Sequence, residues 1–122
     1  MDGERCRARV SLTGKFGEPI AAEAEGPASP AGRLRSVADA TVEALHRHTG
    51  HSLQVEVLGI KAIRAFDNSL VVASVMVRFG DKSERVVGSC IQQAESPRGA
   101  ALAVLDATNR LVAFTMLDAA QT

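Results

Sequence analysis

Ser29-Pro-Ala-Gly-Arg-Leu-Arg-Ser-Val-Ala-Asp-Ala-Thr41 recurs as Ser96-Pro-Arg-Gly-Ala-Ala-Leu-Ala-Val-Leu-Asp-Ala-Thr108, 67 residues further on. Ser, Pro, Gly, Val, Asp, Ala and Thr coincide without a gap. Each stretch opens as a helix should. Ser is a good N-cap, and Pro suits the first helical position because the N–H it lacks would have had no partner there. Leu34, Val37, Ala38, Thr41 and Leu45 then form one apolar stripe at helical spacing. The second helix repeats that stripe as Ala101, Val104, Leu105, Thr108, Leu111 and Val112. The first helix is expected to end near His48, with Gly50 in the left-handed position beyond it.

The offset carries outward into extended segments. Val10 falls on Val77, Leu12 on Phe79, Lys15 on Lys82 and Ile20 on Val87. Residues 6–12 alternate Arg7 and Arg9 with Ala8, Val10 and Leu12, the pattern of a half-buried strand. Thr13-Gly-Lys-Phe-Gly17 is turn chemistry. Pro19 to Ala24 returns with Ile20, Ala22 and Ala24 inward, and Gly26-Pro27 breaks it. Residues 53–65 are extended, with a bulge or bend at Gly59. Asp67-Asn68 is read as a hairpin turn, and Leu70–Phe79 as a central strand because its apolarity is nearly continuous. Gly80-Asp-Lys-Ser83 turns the chain, and Val86 to Gln92 returns.

The order is therefore β-β-α-β-β-β-α, an α+β domain built as a tandem repeat with approximate twofold symmetry. Both helices are expected on one face of a joined, mostly antiparallel sheet, where their stripes are buried. Residues 1–122 make one domain, with repeats over about 6–48 and about 53–116. The opposite sheet face is expected to be wet or an interface, with Ala21, Ala73 and Ser89 suiting close contact.

Composition narrows the function. The chain is 46% hydrophobic but only 3% aromatic, without Trp or Tyr, so the core rests on Val, Leu, Ile and Ala. Fourteen basic residues balance fourteen acidic ones. A neutral chain lacks the electrostatic footprint of a general nucleic-acid or membrane-surface binder. Cys6 and Cys90 match no metal spacing and read as idle thiols of a reducing compartment. The charged N-terminus leads into no apolar segment, and no apolar run approaches the roughly 20 residues a membrane helix needs. A cytoplasmic protein is expected.

The residues carry a family resemblance. Leu105-Asp-Ala-Thr-Asn-Arg-Leu111 matches five of seven positions of a Leu-Asn-Ala-Leu-Asn-Arg-Leu-like helix end. Gly26-Pro27 precedes the first helix as in a Gly-x-Gly-Pro-Val/Ile-Asp-Ala loop, with Ala24 in place of the first Gly and Ser29 in place of the Asp. The pattern resembles the C-terminal regulatory (dimerisation) domain of 2-isopropylmalate and citramalate synthases, over residues 6–115. That resemblance implies a tandem β-β-β-α fold, a homodimer or docking to a partner enzyme, and an amino-acid-like or 2-oxo-acid effector near the loop–helix junctions. It places those junctions at Gly26, Pro27, Ala28 and Ser29, and at Ala94, Glu95 and Ser96. The catalytic barrel and its metal ligands are absent from this sequence, and so is a counterpart of the first strand of the first repeat. A non-catalytic regulatory module, possessing neither metal nor cofactor, is the expected function.

Other readings are weaker. His46, His48 and His51 have the spacing of a ligand cluster, but helical residues two apart point about 200° apart, so His46 and His48 do not converge on a metal. Cationic groups at a helix C-terminus are favourable in their own right. Asp39 and Asp106 recur in both helices without a nucleophile or base nearby, and read as helix-pairing or solvated groups. Lys61 and Arg64 read as a solvated strand face, and Asn109-Arg110 as helix-end polar packing. Residues 35–115 also follow the α-β-β-β-α order of double-stranded RNA-binding domains, but where those carry several Lys this chain has only Arg98. No triad, Cys-His, metal or phosphate-loop signature marks an enzyme.

Overall fold

The computed structural model describes residues 5–12, 20–50, 53–92 and 98–108. They form β1 (Arg5–Leu12), β2 (Ile20–Pro27), α1 (Pro30–His48), β3 (Gln54–Ala65), β4 (Asn68–Phe79) and β5 (Lys82–Gln92), followed by helical residues 98–108, here α2. The fold is α+β, in the element order expected from the sequence. The strands form two antiparallel sheets, β1-β2 and β3-β4-β5, instead of one joined sheet.

Helix α1 begins where the sequence puts it. Ser29 is extended, its Oγ accepts the Gly32 N–H at 3.0 Å, and its carbonyl accepts the Arg33 N–H at 2.9 Å. At the other end the Thr49 N–H reaches the Leu45 carbonyl and Gly50 takes φ +63°. Two faces of α1 are buried, not one. Ala38, Val42 and Leu45 join Leu53 just before β3, Val55 and Val57 of β3, alternate residues of β4, and Ala100, Ala103, Val104 and Ala107 of α2 in the main core. Ala40 lies in a second cluster with Ala8 and Val10 of β1. Gly32, Ser36, Ala40 and Ala44 follow one another at i+4, so α1 turns a ridge of small residues to the β1-β2 hairpin. The contact is close: a Cβ on Gly26 would collide with the Ser36 hydroxyl, and one on Gly32 with the Pro27 carbonyl.

Helix α2 approaches β5 in the same manner. A Cβ on Gly88 would strike the Ala103 carbonyl and the Ala107 backbone. The stripe that α2 buries is therefore Ala100, Ala103, Val104, Ala107 and Thr108, about one position round from the expected one, while Ala101 and Leu105 are half-buried. Leu111 and Val112 lie outside the described residues. Buried Thr41 and Thr108, one in each helix, each donate to the carbonyl four residues back, Val37 at 2.7 Å and Val104 at 2.9 Å.

Three local expectations need correction. β2 continues through Gly26-Pro27, because Gly26 is the point where the strand presses on α1. The β3–β4 turn is Phe66-Asp67, with φ +52° and +62°, and Asn68 already belongs to β4. Ala73 faces the helices and is fully buried, because inward and outward positions of β4 are both apolar and parity is ambiguous in the sequence. The expected bulge is present between Val57 and Gly59, and β4 is central. The Thr13–Gly17 turn lies outside the described residues.

Gly88→Ala forces a Cβ against helix backbone and is expected to cost about 1–3 kcal/mol or more. Gly59→Ala, with open space around it, is expected to change stability by less than about 1 kcal/mol. Urea titrations of the two variants compare them. Replacing Phe66-Asp67 by Asn-Gly, which accepts a turn with two positive φ values, is expected to raise stability by roughly 1 kcal/mol, because relief of left-handed strain outweighs the entropy the added Gly loses on folding. Thermal and urea unfolding both report it.

Candidate functional site

The junction between β2 and α1 is a packed corner. Gly26 is buried, Ala28 half-buried and Ser29 exposed. The Cys6 thiol lies 3.4 Å from the Pro27 carbonyl and 3.8 Å from the Ser36 hydroxyl. At the start of α1, Pro30 has no N–H and the Gly32 N–H is bonded to Ser29. The Ala31 N–H is what remains of the first helical N–H positions to meet an anion. No acidic residue sits in the first turn. Of the second junction, Ala94, Glu95 and Ser96 lie outside the described residues.

The polar residues singled out in the sequence have other work. Nε2 of His46 accepts the Val55 N–H at 2.9 Å. Helix α1 also sends Arg35 Nη2 to the Val57 carbonyl at 3.1 Å and Arg47 Nη1 to the Ala21 carbonyl at 2.6 Å. In α2, Asp106 Oδ2 accepts the Ser89 N–H at 3.0 Å. Each bond closes a backbone group that the neighbouring strand leaves open, so helix side chains latch the outer edges of β2, β3 and β5. Asp39, the counterpart of Asp106 at the 67-residue offset, instead pairs with Arg35 at 3.2 Å. The two aspartates do not meet. Lys61 and Arg64 are exposed on β3, and Cys6 and Cys90 are free thiols. His51, Asn109 and Arg110 lie outside the described residues. Among the described residues no three His, Cys, Asp or Glu side chains are grouped to hold a metal, and no helix is long and apolar enough to cross a membrane.

On the outer face of the hairpin, Arg7 bonds Glu25 at 2.9 Å and lies 4.0 Å from Glu23. The hydrogen bond and charge of Arg7 hold the Glu25 carboxyl below the usual carboxylate range and raise the guanidinium in turn. Both groups are solvent-exposed, so salt screens the pair.

One surface was expected only as a wet or interface face, and a second went unnoticed in the sequence. The first is the outer face of the three-stranded sheet. Val87 and Ile91 are each 62% exposed there, beside Ile63, Leu70, Val72 and Met76. The unbroken apolarity of Leu70–Phe79 was its signal, since a strand apolar at both parities is covered on both faces. The second is a groove of about 470 Å³ between β1 and α2. Arg9, Val10, Ser11 and Leu12 form one wall, Ala101, Leu102 and Leu105 the other, and Val37 and Arg98 also line it.

Compared with protein-family models, curated proteins and solved structures, the chain matches none.

The edge latches carry a stability prediction. His46→Ala leaves the Val55 N–H without its acceptor and is expected to cost about 1–3 kcal/mol. Asp106→Ala, at a more exposed bond, is expected to cost about 0.5–1.5 kcal/mol. Hydrogen exchange should show the Val55 and Ser89 amides losing protection in the respective variants ahead of the central β4 amides.

Proposed function

We propose that this chain is a non-catalytic dimerisation and regulatory module, of the kind the C-terminal domains of 2-isopropylmalate and citramalate synthases provide. The observation that carries the dimer is the outer face of the three-stranded sheet. Burying Val87 and Ile91 against a second copy removes apolar area that water otherwise covers. Across that face run Glu56, Met76 and Arg85 in one row and Gln54 and Arg78 in the next. Charges of both signs suit an isologous pairing, in which each patch meets its own copy about a twofold axis. A face of this kind serves equally for docking on a partner enzyme.

The regulatory half of the proposal rests on the sequence resemblance. A small amino-acid or 2-oxo-acid effector would place its carboxylate at the start of α1, near Gly26, Pro27, Ala28 and Ser29, where the helix dipole and the Ala31 N–H favour negative charge. Because α1 contacts both sheets, an effector at its N-terminus would shift whichever helix position it prefers, by linkage. The absence of any triad, metal cluster or phosphate loop in the sequence motivates the non-catalytic reading.

Sedimentation velocity is expected to show a dimer that Val87→Asp and Ile91→Asp each weaken and together abolish, with the circular dichroism of the fold unchanged. A wild-type chain that stays monomeric at high concentration would remove the dimer. Calorimetry against branched-chain amino acids and their 2-oxo acids tests the effector. Binding should weaken in Ser29→Ala, and no heat with any of these ligands would remove it.

A further inference from the structure

The outer edges of β2, β3 and β5 carry side-chain latches from the helices: Arg47 on Ala21, His46 on Val55, Arg35 on Val57 and Asp106 on Ser89. β1 differs. It pairs with β2 along one edge, and among the described residues no side chain is bonded to the backbone of the other. Four consecutive β1 residues, Arg9 to Leu12, line the groove, so it runs along that edge instead of under one face. The far wall is formed by Ala101, Leu102 and Leu105 with Arg98 beside them, and Leu102 within it is 40% exposed.

The internal repeat says what belongs there. The 67-residue offset sets β1 on β4 and β2 on β5. β4, however, is paired on both edges, with β5 on one side and β3 on the other. The same offset sets Arg35 on Leu102. Arg35 rests on β3, through the Val57 carbonyl, whereas Leu102 faces the groove. The groove is thus the position that β3 occupies in the other half of the molecule.

We propose that this groove is a strand-binding site, taking an extended segment of a partner protein that pairs antiparallel with β1. Charge sets the chemistry of the segment. Inward residues meet Ala101, Leu102 and Leu105 and must be apolar. Outward residues stand beside Arg5 and Arg9, and beside Arg7 already paired with Glu25, so acidic side chains are favoured. β3 itself has this alternation, with Val55 and Val57 inward and Gln54 and Glu56 outward. The β1 edge of a second copy is the poorer occupant, because antiparallel self-pairing sets the two arginine rows side by side. Main-chain bonds would supply the affinity and the apolar wall the register, as in other strand-addition sites. The site does not depend on the dimer face, which lies on the opposite side of the three-stranded sheet.

The probe is an acetylated, amidated peptide with the sequence of Leu53–Leu58, titrated into the labelled full chain and followed by NMR. Saturable binding is expected, with shifts confined to Arg9–Leu12 and Ala101–Leu105. A bound strand would pair with β1 through only one of its two edges, so N-methylating the peptide at one set of alternate residues should abolish binding while the other set leaves it intact. Replacing its Glu by Lys should weaken binding by about threefold. Leu102→Glu should abolish it with the fold unchanged by circular dichroism. The titration is repeated in Val87→Asp, so that failure of the dimer and failure of the groove are read separately. Absence of shifts at millimolar peptide, equal binding of both N-methylated peptides, or a β1–β1 contact between copies that the peptide cannot displace would each overturn the proposal.

Discussion

Close approach of helix backbone to strand backbone is the constraint on which this molecule depends. With 3% aromatic residues the core has few large side chains to span a gap. Dispersion falls steeply with separation, so the layers must come together instead. They do so where a side chain is missing: Gly26 against Ser36, Gly32 against Pro27, and Gly88 against Ala103 and Ala107. Thr41 and Thr108 fit the same regime. Each is small, wholly buried, and turns its hydroxyl back to its own helix, so that no polar atom faces the core unpaired.

That constraint explains which parts of the fold were legible. Caps and breakers act within a few residues, so Ser29, Pro30 and Gly50 announced both ends of α1. Alternation in β1 and the bulge at Gly59 are equally local. The apolar stripe, by contrast, names only the face of a helix that is greasy. The second buried face of α1 is Gly32, Ser36, Ala40 and Ala44, whose modest hydrophobicity conceals that a sheet lies on it. Splitting one expected sheet into two followed from that oversight. Parity failed at Ala73 for a related reason: a strand apolar at odd and even positions gives no sign of which way it faces. The turn was misplaced by one residue because Phe66, a bulky side chain at positive φ, runs against local preference.

The polar residues were the least legible, since their roles lie across sequence separations that spacing does not encode. His46 looked like a fragment of a ligand cluster and is a cap on a strand nine residues away. Asp39 and Asp106 share a position in the repeat but not a role: one pairs within α1, the other holds β5. Identity of residue at equivalent positions thus did not carry identity of contact. Gly26, by comparison, was singled out as part of a loop and proves to be a packing position, which accounts for its lack of a side chain without any ligand.

A sheet edge is an unfinished hydrogen-bond ladder, and a protein must finish it, hide it or use it. Here the helices finish three of the outer edges with four side chains. Arg35, His46, Arg47 and Asp106 differ in charge and in hydrogen-bonding sense: the two arginines donate to carbonyls, while the imidazole and the carboxylate accept from N–H groups. Such varied chemistry directed at one kind of target marks edge closure as a requirement of this fold. Among the described residues β1 lies within reach of α2 yet its backbone receives no such side chain, and α2 places an exposed Leu there beside Arg98. An aliphatic side chain cannot satisfy a backbone N–H or carbonyl, but it can pack against the inward side chains of a strand that does. The edge at β1 is therefore shaped to be used, and its apolar wall and arginine row state the terms.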